Sequence, residues 1–195
     1  MAENPIQLTI PERSPRAGSA LLAWIGRCGL RLVGWRVMGA LPNTDKLIVI
    51  AAPHRSNWDW VIGVCGLWAL RLKFSYFIKE AVMVWPLSIL IRKTGGIPID
   101  RSNPKGLTDQ VIQAFDQAEK FYFAITPEGT RKKGVPWKTG FLRIAYASDV
   151  PVVPMVIDYQ SKEFKLHAPF KLSKETEADL DTVLEFYKPY MASDY

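Results

Sequence analysis

The chain has 195 residues, 48% of them hydrophobic and 23% charged, with no repeat or low-complexity tract. That composition suits one folded domain with a substantial core and excludes disorder over most of its length. A formal net charge of +6 favours anionic partners such as phosphorylated metabolites or anionic lipid. Lys and Arg are scattered without a dense run or a nucleic-acid motif, so nucleic acid is not an expected partner.

The first 15 residues, with three prolines and mixed charge, read as an irregular arm. No basic region precedes an apolar stretch there, and no small-residue cleavage site follows, so no cleaved signal is expected and the predicted location is cytoplasmic. Residues 16–38 carry helical periodicity: Arg16, Ala20, Ala23, Arg27, Arg31 and Gly34 share one face, and Leu21, Leu22, Ile25, Leu32 and Val33 the other. The longest uncharged run, residues 17–26, is far shorter than the roughly 20 residues a spanning helix needs. Such a helix either lies in a membrane interface or packs on the core, and the periodicity is the same for both. Cys28 and Cys65 sit in apolar surroundings without metal-type spacing and read as reduced, buried thiols.

A short β-branched run at residues 45–52 predicts a buried strand stopped by Pro53, and a helix follows over about 56–70. Residues 73–79 read as a second strand. A helix interrupted by Pro86 and ended by Gly95 and Gly96 comes next, then a short strand at 97–100. Leu107, Val111, Ile112, Phe115 and Ala118 have a helical period, and 121–126 a strand pattern. A helix near 140–148, a strand at 150–158 whose Pro151 and Pro154 suggest an edge strand or irregular pairing, an alternating strand at 163–168 and a helix near 178–191 complete the chain. Alternation of strand and helix predicts a single α/β domain whose mixed, mostly parallel sheet is covered by helices, preceded by the amphipathic N-terminal helix.

Polar residues concentrate at three strand ends. After the first strand come His54, Arg55, Ser56, Asn57 and Asp59. A histidine at the carboxyl end of an α/β strand is placed to accept a proton from a substrate hydroxyl, and Asp59 is placed to orient its ring. Ser56 and Asp59 equally form the S-x-x-D pattern of a helix capping box, so Asp59 has a purely structural reading as well. The only other histidine, His167, shares a strand side with Lys165 and is expected to face solvent. "GGIPIDR" followed by "SNPKG" delivers Asp100, Arg101 and Lys105. "ITPEGTRKKG" delivers Glu128, Gly129, Thr130, Arg131, Lys132 and Lys133. Guanidinium groups on two strand-end loops suit a phosphorylated substrate.

Taken in order, His54 to Asp59, "GGIPIDR", "PEGTR" and "VPVVP" resemble the four ordered motifs of the glycerolipid acyltransferase family, which includes lysophosphatidate acyltransferases, and they cover over half of the chain. The resemblance implies transfer of a fatty acyl group from a coenzyme A or acyl-carrier-protein thioester to a hydroxyl of a lysophospholipid-type acceptor at a membrane surface. No metal and no cofactor beyond the acyl donor is implied. His54 would be general base and Asp59 its orienting partner. Arg101, Glu128, Gly129, Thr130 and Arg131 would bind substrate, Glu128 as a structural or acceptor-orienting group, with Lys79 a further candidate beside the site. Residues 1–38 would then form an arm and membrane-interface helix, with Trp24 and Trp35 as anchors, and 39–195 the acyltransferase domain. That division places the protein peripherally on the cytoplasmic face of the membrane. The rival readings are a metal-dependent hydrolase built on His54, Asp59 and Glu128, for which one well-placed histidine supplies few ligands, and a non-catalytic lipid-binding protein.

Overall fold

A computed structural model describes residues 4–99, 104–130 and 134–191. Its eight strands form one sheet: β1 (Ile6–Thr9), β2 (Arg36–Ala40), β3 (Lys46–Ala52), β4 (Ser75–Lys79), β5 (Gly96–Ile99), β6 (Phe121–Ile125), β7 (Val152–Asp158) and β8 (Glu163–Leu166), in the spatial order β1-β2-β8-β7-β3-β6-β4-β5. Every neighbouring pair is parallel except β7 and β8. The α-helices are α1 (Ala20–Val33), α2 (Trp58–Leu70), α3 (Leu87–Lys93), α4 (Pro104–Gln117), α5 (Gly140–Ser148) and α6 (Thr176–Met191). The predicted mixed, mostly parallel α/β sheet is the one observed.

Strand β3 explains why its sequence is a continuous apolar run. Leu47, Val49 and Ala51 point into a core with α1 and α2, while Ile48, Ile50 and Ala52 point into a second core with α4, α5 and α6. A central parallel strand covered on both faces has no solvent side and hence no polar alternation. Its position is pinned from the second core, where the buried Tyr187 hydroxyl of α6 donates to the Ile50 carbonyl at 2.8 Å.

Three local expectations are corrected. The N-terminal helix does not run to residue 38. Ser19 caps its start by accepting from Leu22 N–H, and Gly34 at φ 73° ends it, leaving Arg36–Ala40 to form β2. The arm before it is not irregular throughout, since Ile6–Thr9 pairs in parallel with β2. β7 is an interior strand between β3 and β8. Pro154 is tolerated because the carbonyl on the same edge of its backbone accepts from His167 N–H at 3.0 Å, just beyond the last β7–β8 pair, so the missing donor falls where the ladder ends.

The buried face of α1 is its small-residue face, Ala23, Gly26 and Leu30. It packs antiparallel on α2, with the Ala17 N–H on the Arg71 carbonyl at one end and Gly29 against Cys65 further along. The leucine face is not part of the core: Leu32 is 88% and Trp24 58% exposed. Trp35, expected beside Trp24 as an anchor, is buried against Tyr159 and Phe164. Cys28 and Cys65 are free thiols, only half-buried. Burial pushes the Cys65 thiol up.

Gly26 sets the approach of this helix pair, because a Cβ there would lie 2.4 Å from the Cys65 carbonyl oxygen and 2.6 Å from the Ala69 nitrogen. Gly63 in α2 has nothing within 4 Å of the same position. Helix propensity favours Ala over Gly by about 1 kcal/mol at either site, whereas overpacking against backbone costs about 1–3 kcal/mol. Gly63→Ala is therefore expected to raise the urea midpoint and Gly26→Ala to lower it, and midpoints that move in the same direction would contradict the packing assigned to α1.

Candidate active site

Strands β7, β3 and β6 lie side by side and parallel, so their carboxyl ends open on one rim of the sheet. Each end delivers one side chain of the candidate site: His54 after β3, Glu128 after β6 and Tyr159 after β7. Rims of this kind gather ligand sites because the loops diverge there while the strands hold their origins fixed.

The Asp59 carboxylate, 6% exposed, is the centre of the arrangement. Its Oδ2 accepts from His54 Nδ1 at 2.7 Å and from the backbone N–H groups of Arg55 and Ser56 at 2.9 and 3.0 Å. The Tyr159 hydroxyl donates to Oδ1. Burial pushes this carboxyl up, but the hydrogen bonds from His54, Tyr159, Ser56 and Arg55 outweigh it and hold the group below its ordinary value. Asp59 therefore stays charged. The capping and catalytic readings of this residue are not alternatives in the structure, since one carboxylate receives the Ser56 N–H and the imidazole together. Ser56 Oγ accepts from Trp58 N–H at 3.2 Å, so the start of α2 is capped by the loop that presents His54.

With Nδ1 committed to Asp59, Nε2 is the ring nitrogen left to meet a substrate, and the half-buried side chain of His54 is 24% exposed. Glu128, 9% exposed, accepts from the His54 backbone N–H at 2.8 Å and so ties the loop after β6 to the loop after β3. Burial pushes the Glu128 carboxyl up, opposed by that N–H and by the nearby His54 and Arg55. Arg55 turns away, its guanidinium donating to the carbonyls of Tyr190 and Met191 at the end of α6. The polar cluster after β3 thus divides: His54 stays partly exposed, Asp59 anchors it, Arg55 binds the end of α6 and Ser56 the start of α2.

Gly129 adopts φ 60° in the turn that returns the chain under Glu128, and a Cβ there would sit 3.2 Å from Lys138 Cε. Lys138 is thereby folded over the turn, a cation beside the site that the sequence motifs did not point to. Thr130 is half-buried on the same loop. Lys79 is exposed at the carboxyl end of β4, and β6 stands between that strand and β3. Arg101 and Arg131, with Asp100, Lys132 and Lys133, lie outside the described residues, as does the Lys105 side chain. His167 is not solvent-facing: α6 covers it, Phe186 meets its ring edge-on at 5.1 Å, and burial lowers its pKa. Tyr159 was not found by the motif reading. It is separated by 100 residues from the carboxylate it binds, and no spacing rule connects them.

The site thus consists of a buried aspartate behind a half-buried histidine on the rim of a parallel-rich α/β sheet. Residues 36–158 match the family model described as Acyltransferase, and the chain belongs to that family. It is 29% identical over 129 residues to a chloroplastic 1-acyl-sn-glycerol-3-phosphate acyltransferase of Brassica napus, covering 60% of this chain and 34% of that protein. It is 27% identical over 143 residues to a 1-acyl-sn-glycerol-3-phosphate acyltransferase of Limnanthes douglasii, covering 70% and 48%. The chain therefore spans a third to a half of the length of these relatives. The fold is similar to the crystal structure of the 1-acyl-sn-glycerophosphate acyltransferase PlsC from Thermotoga maritima, with a TM-score of 0.62 at 19% identity over 90% of this chain and 80% of that one.

Glu128 gives a pH test. Its folded value lies above the ordinary 4.5, so its contribution to stability is complete below that value and is lost as pH rises through the folded one. Asp59, held below its ordinary 3.8, has the opposite sign and costs stability only as pH falls. Glu128→Gln keeps an acceptor for the His54 N–H while removing the buried charge. The difference in Tm in favour of the variant is expected to widen between about pH 4 and pH 7; a gap that narrows over that range would show that the charge, not the acceptor, supports the loop.

Proposed function

We propose that this protein is an O-acyltransferase that moves a fatty acyl group from an acyl-coenzyme A or acyl-carrier-protein thioester to the free hydroxyl of a lysophosphatidate-like acceptor. The observation that carries the reading is the His54–Asp59 pair with Nε2 left for substrate on the sheet rim, within a chain that belongs to the acyltransferase family. Nε2 takes the acceptor hydroxyl proton as the oxygen attacks the thioester carbonyl carbon, and Asp59 steadies the imidazolium that forms. The tetrahedral intermediate then collapses, the carbon–sulfur bond breaks, and the imidazolium returns the proton to the departing thiolate. No acyl-enzyme is required. The oxyanion is to be met by backbone N–H groups near the rim. Arg101 and Arg131 are assigned to the acceptor phosphate, with Lys138 as an added cation, and Glu128 to holding the His54 loop in place.

The metal-hydrolase alternative is disfavoured by ligand supply: among the described residues no group of three or more His, Cys, Asp or Glu side chains is placed to hold a metal ion. His54→Ala is expected to remain folded, with some loss of Tm from the donor taken from Asp59, and to lose acyl transfer by on the order of 10²-fold or more, as for a general base. Asp59→Asn is expected to be comparably impaired with some loss of stability. The assay is transfer of a labelled acyl chain to lysophosphatidate, with coenzyme A and acyl-carrier-protein donors compared, and near-native transfer by His54→Ala would sink the mechanism.

The same reading places the protein peripherally on a membrane, on its cytoplasmic face. Its support is the exposed side of the α1–α2 pair: Leu21, Trp24, Ile25 and Leu32 on α1, with Trp58 and Val61 at the start of α2. The antiparallel pairing brings the Leu32 end of α1 to the end of α2 that carries His54 and Asp59. Among the described residues no helix is long and apolar enough to cross a bilayer, so insertion is to the interface. Removing residues 1–38 whole would strip Leu30, Trp35 and Val37 from the core. Leu21→Ser, Trp24→Ser and Leu32→Ser together leave the core intact and are expected to abolish flotation with anionic liposomes at unchanged Tm. Flotation equal to the native protein would place the membrane contact elsewhere.

A further inference from the structure

The catalytic pair has a third member. We infer that Tyr159 is a positioning residue for the proposed acyl transfer, holding Asp59 from behind so that its other oxygen stays aimed at His54 Nδ1. This inference rests on the proposed function only for its kinetic consequence.

Three observations converge on it. The Tyr159 hydroxyl donates to Asp59 Oδ1, the oxygen that His54 does not use. Tyr159 directly follows β7, the parallel neighbour of β3, so its main chain is fixed by the strand pairing that also fixes His54. The ring is held from the side by Trp35, edge-on at 5.1 Å and 88°, and Trp35 is itself 5% exposed and packed on Phe164 of β8. Burial and the Asp59 carboxylate push the phenol above its ordinary 10.0, with Ser56 acting in the opposite direction, so at neutral pH the hydroxyl remains a donor.

A carboxylate with only the imidazole and the two loop N–H groups, all on Oδ2, would be free to swing Oδ1. The phenol removes that freedom. It also shares the carboxylate's negative charge, so its loss leaves more charge facing the imidazole and makes the protonated ring easier to form.

Tyr159→Phe keeps the ring and its contact with Trp35, and deletes the hydroxyl with its hydrogen bond to the Asp59 carboxylate and its interaction with the Ser56 side chain. For the full chain the expected outcome is a kcat lower by about tenfold, KM for acceptor and donor unchanged because the Tyr159 hydroxyl is committed to Asp59, and an acid limb of the pH–rate profile displaced to higher pH. In the proton NMR spectrum, the resonance of the His54 Nδ1–H shared with Asp59 is expected to move relative to the native protein. That measurement needs no substrate, so it remains decisive if the acyl-transfer reading itself fails. A native kcat and pH profile, or an unmoved Nδ1–H resonance, would reduce Tyr159 to packing and overturn the inference. Should Tyr159→Phe lose Tm, Trp35→Phe supplies the second arm: it loosens the ring's support while leaving the hydroxyl, and an unmoved Nδ1–H resonance in it at native-like Tm also counts against the inference.

Discussion

A carboxylate taken out of water must be repaid by donors, and in this protein that requirement organises the site. Asp59 lies at the first turn of α2, where N–H groups without helical partners are available, and it collects two from the preceding loop. Those bonds curl residues 54–56 into the conformation that brings the His54 ring to the same oxygen. The loop that presents His54 is thus shaped by the residue that binds its ring. The orientation of the imidazole and the conformation of the loop before α2 share one anion, and a substitution at Asp59 disturbs both.

The sheet supplies what the loop cannot. β3 is buried on both faces and is flanked by β7 and β6, so three strand ends keep fixed separations on one rim. From β6 comes Glu128, whose oxygen holds the His54 backbone; from β7 comes Tyr159, whose hydroxyl holds Asp59. These two acidic groups are shifted in opposite directions for one physical reason. Asp59 has enough donors to overcome desolvation, whereas the His54 N–H on Glu128 does not offset its burial.

A second theme is the inversion of α1. Its leucine-rich side faces outward, and its glycine and alanine side faces the protein. Small residues permit the close approach to α2 that Gly26 requires, which frees the large apolar residues for another surface. The outer faces of both helices stand next to the rim carrying His54.

The amino-acid sequence determined by itself what is local or periodic. The doubly buried β3 showed as an apolar run rich in β-branched residues, the cut of α2 from its loop as Ser56 and Asp59, and the contact of His54 with Asp59 as a spacing of five residues that one turn can close. The α/β class followed from alternation alone. What required tertiary structure was every pairing over distance: Tyr159 with Asp59, Glu128 with His54 and Tyr187 with Ile50, contacts set by strand order, which no spacing encodes. It also decided matters that periodicity leaves degenerate. An amphipathic pattern does not say which face of α1 is buried, and two prolines did not predict that β7 is interior, because the answer depends on which side of the strand lacks a partner. His167 looked exposed by alternation and is covered by α6, since alternation reports the sides of a strand and not what later packs upon them.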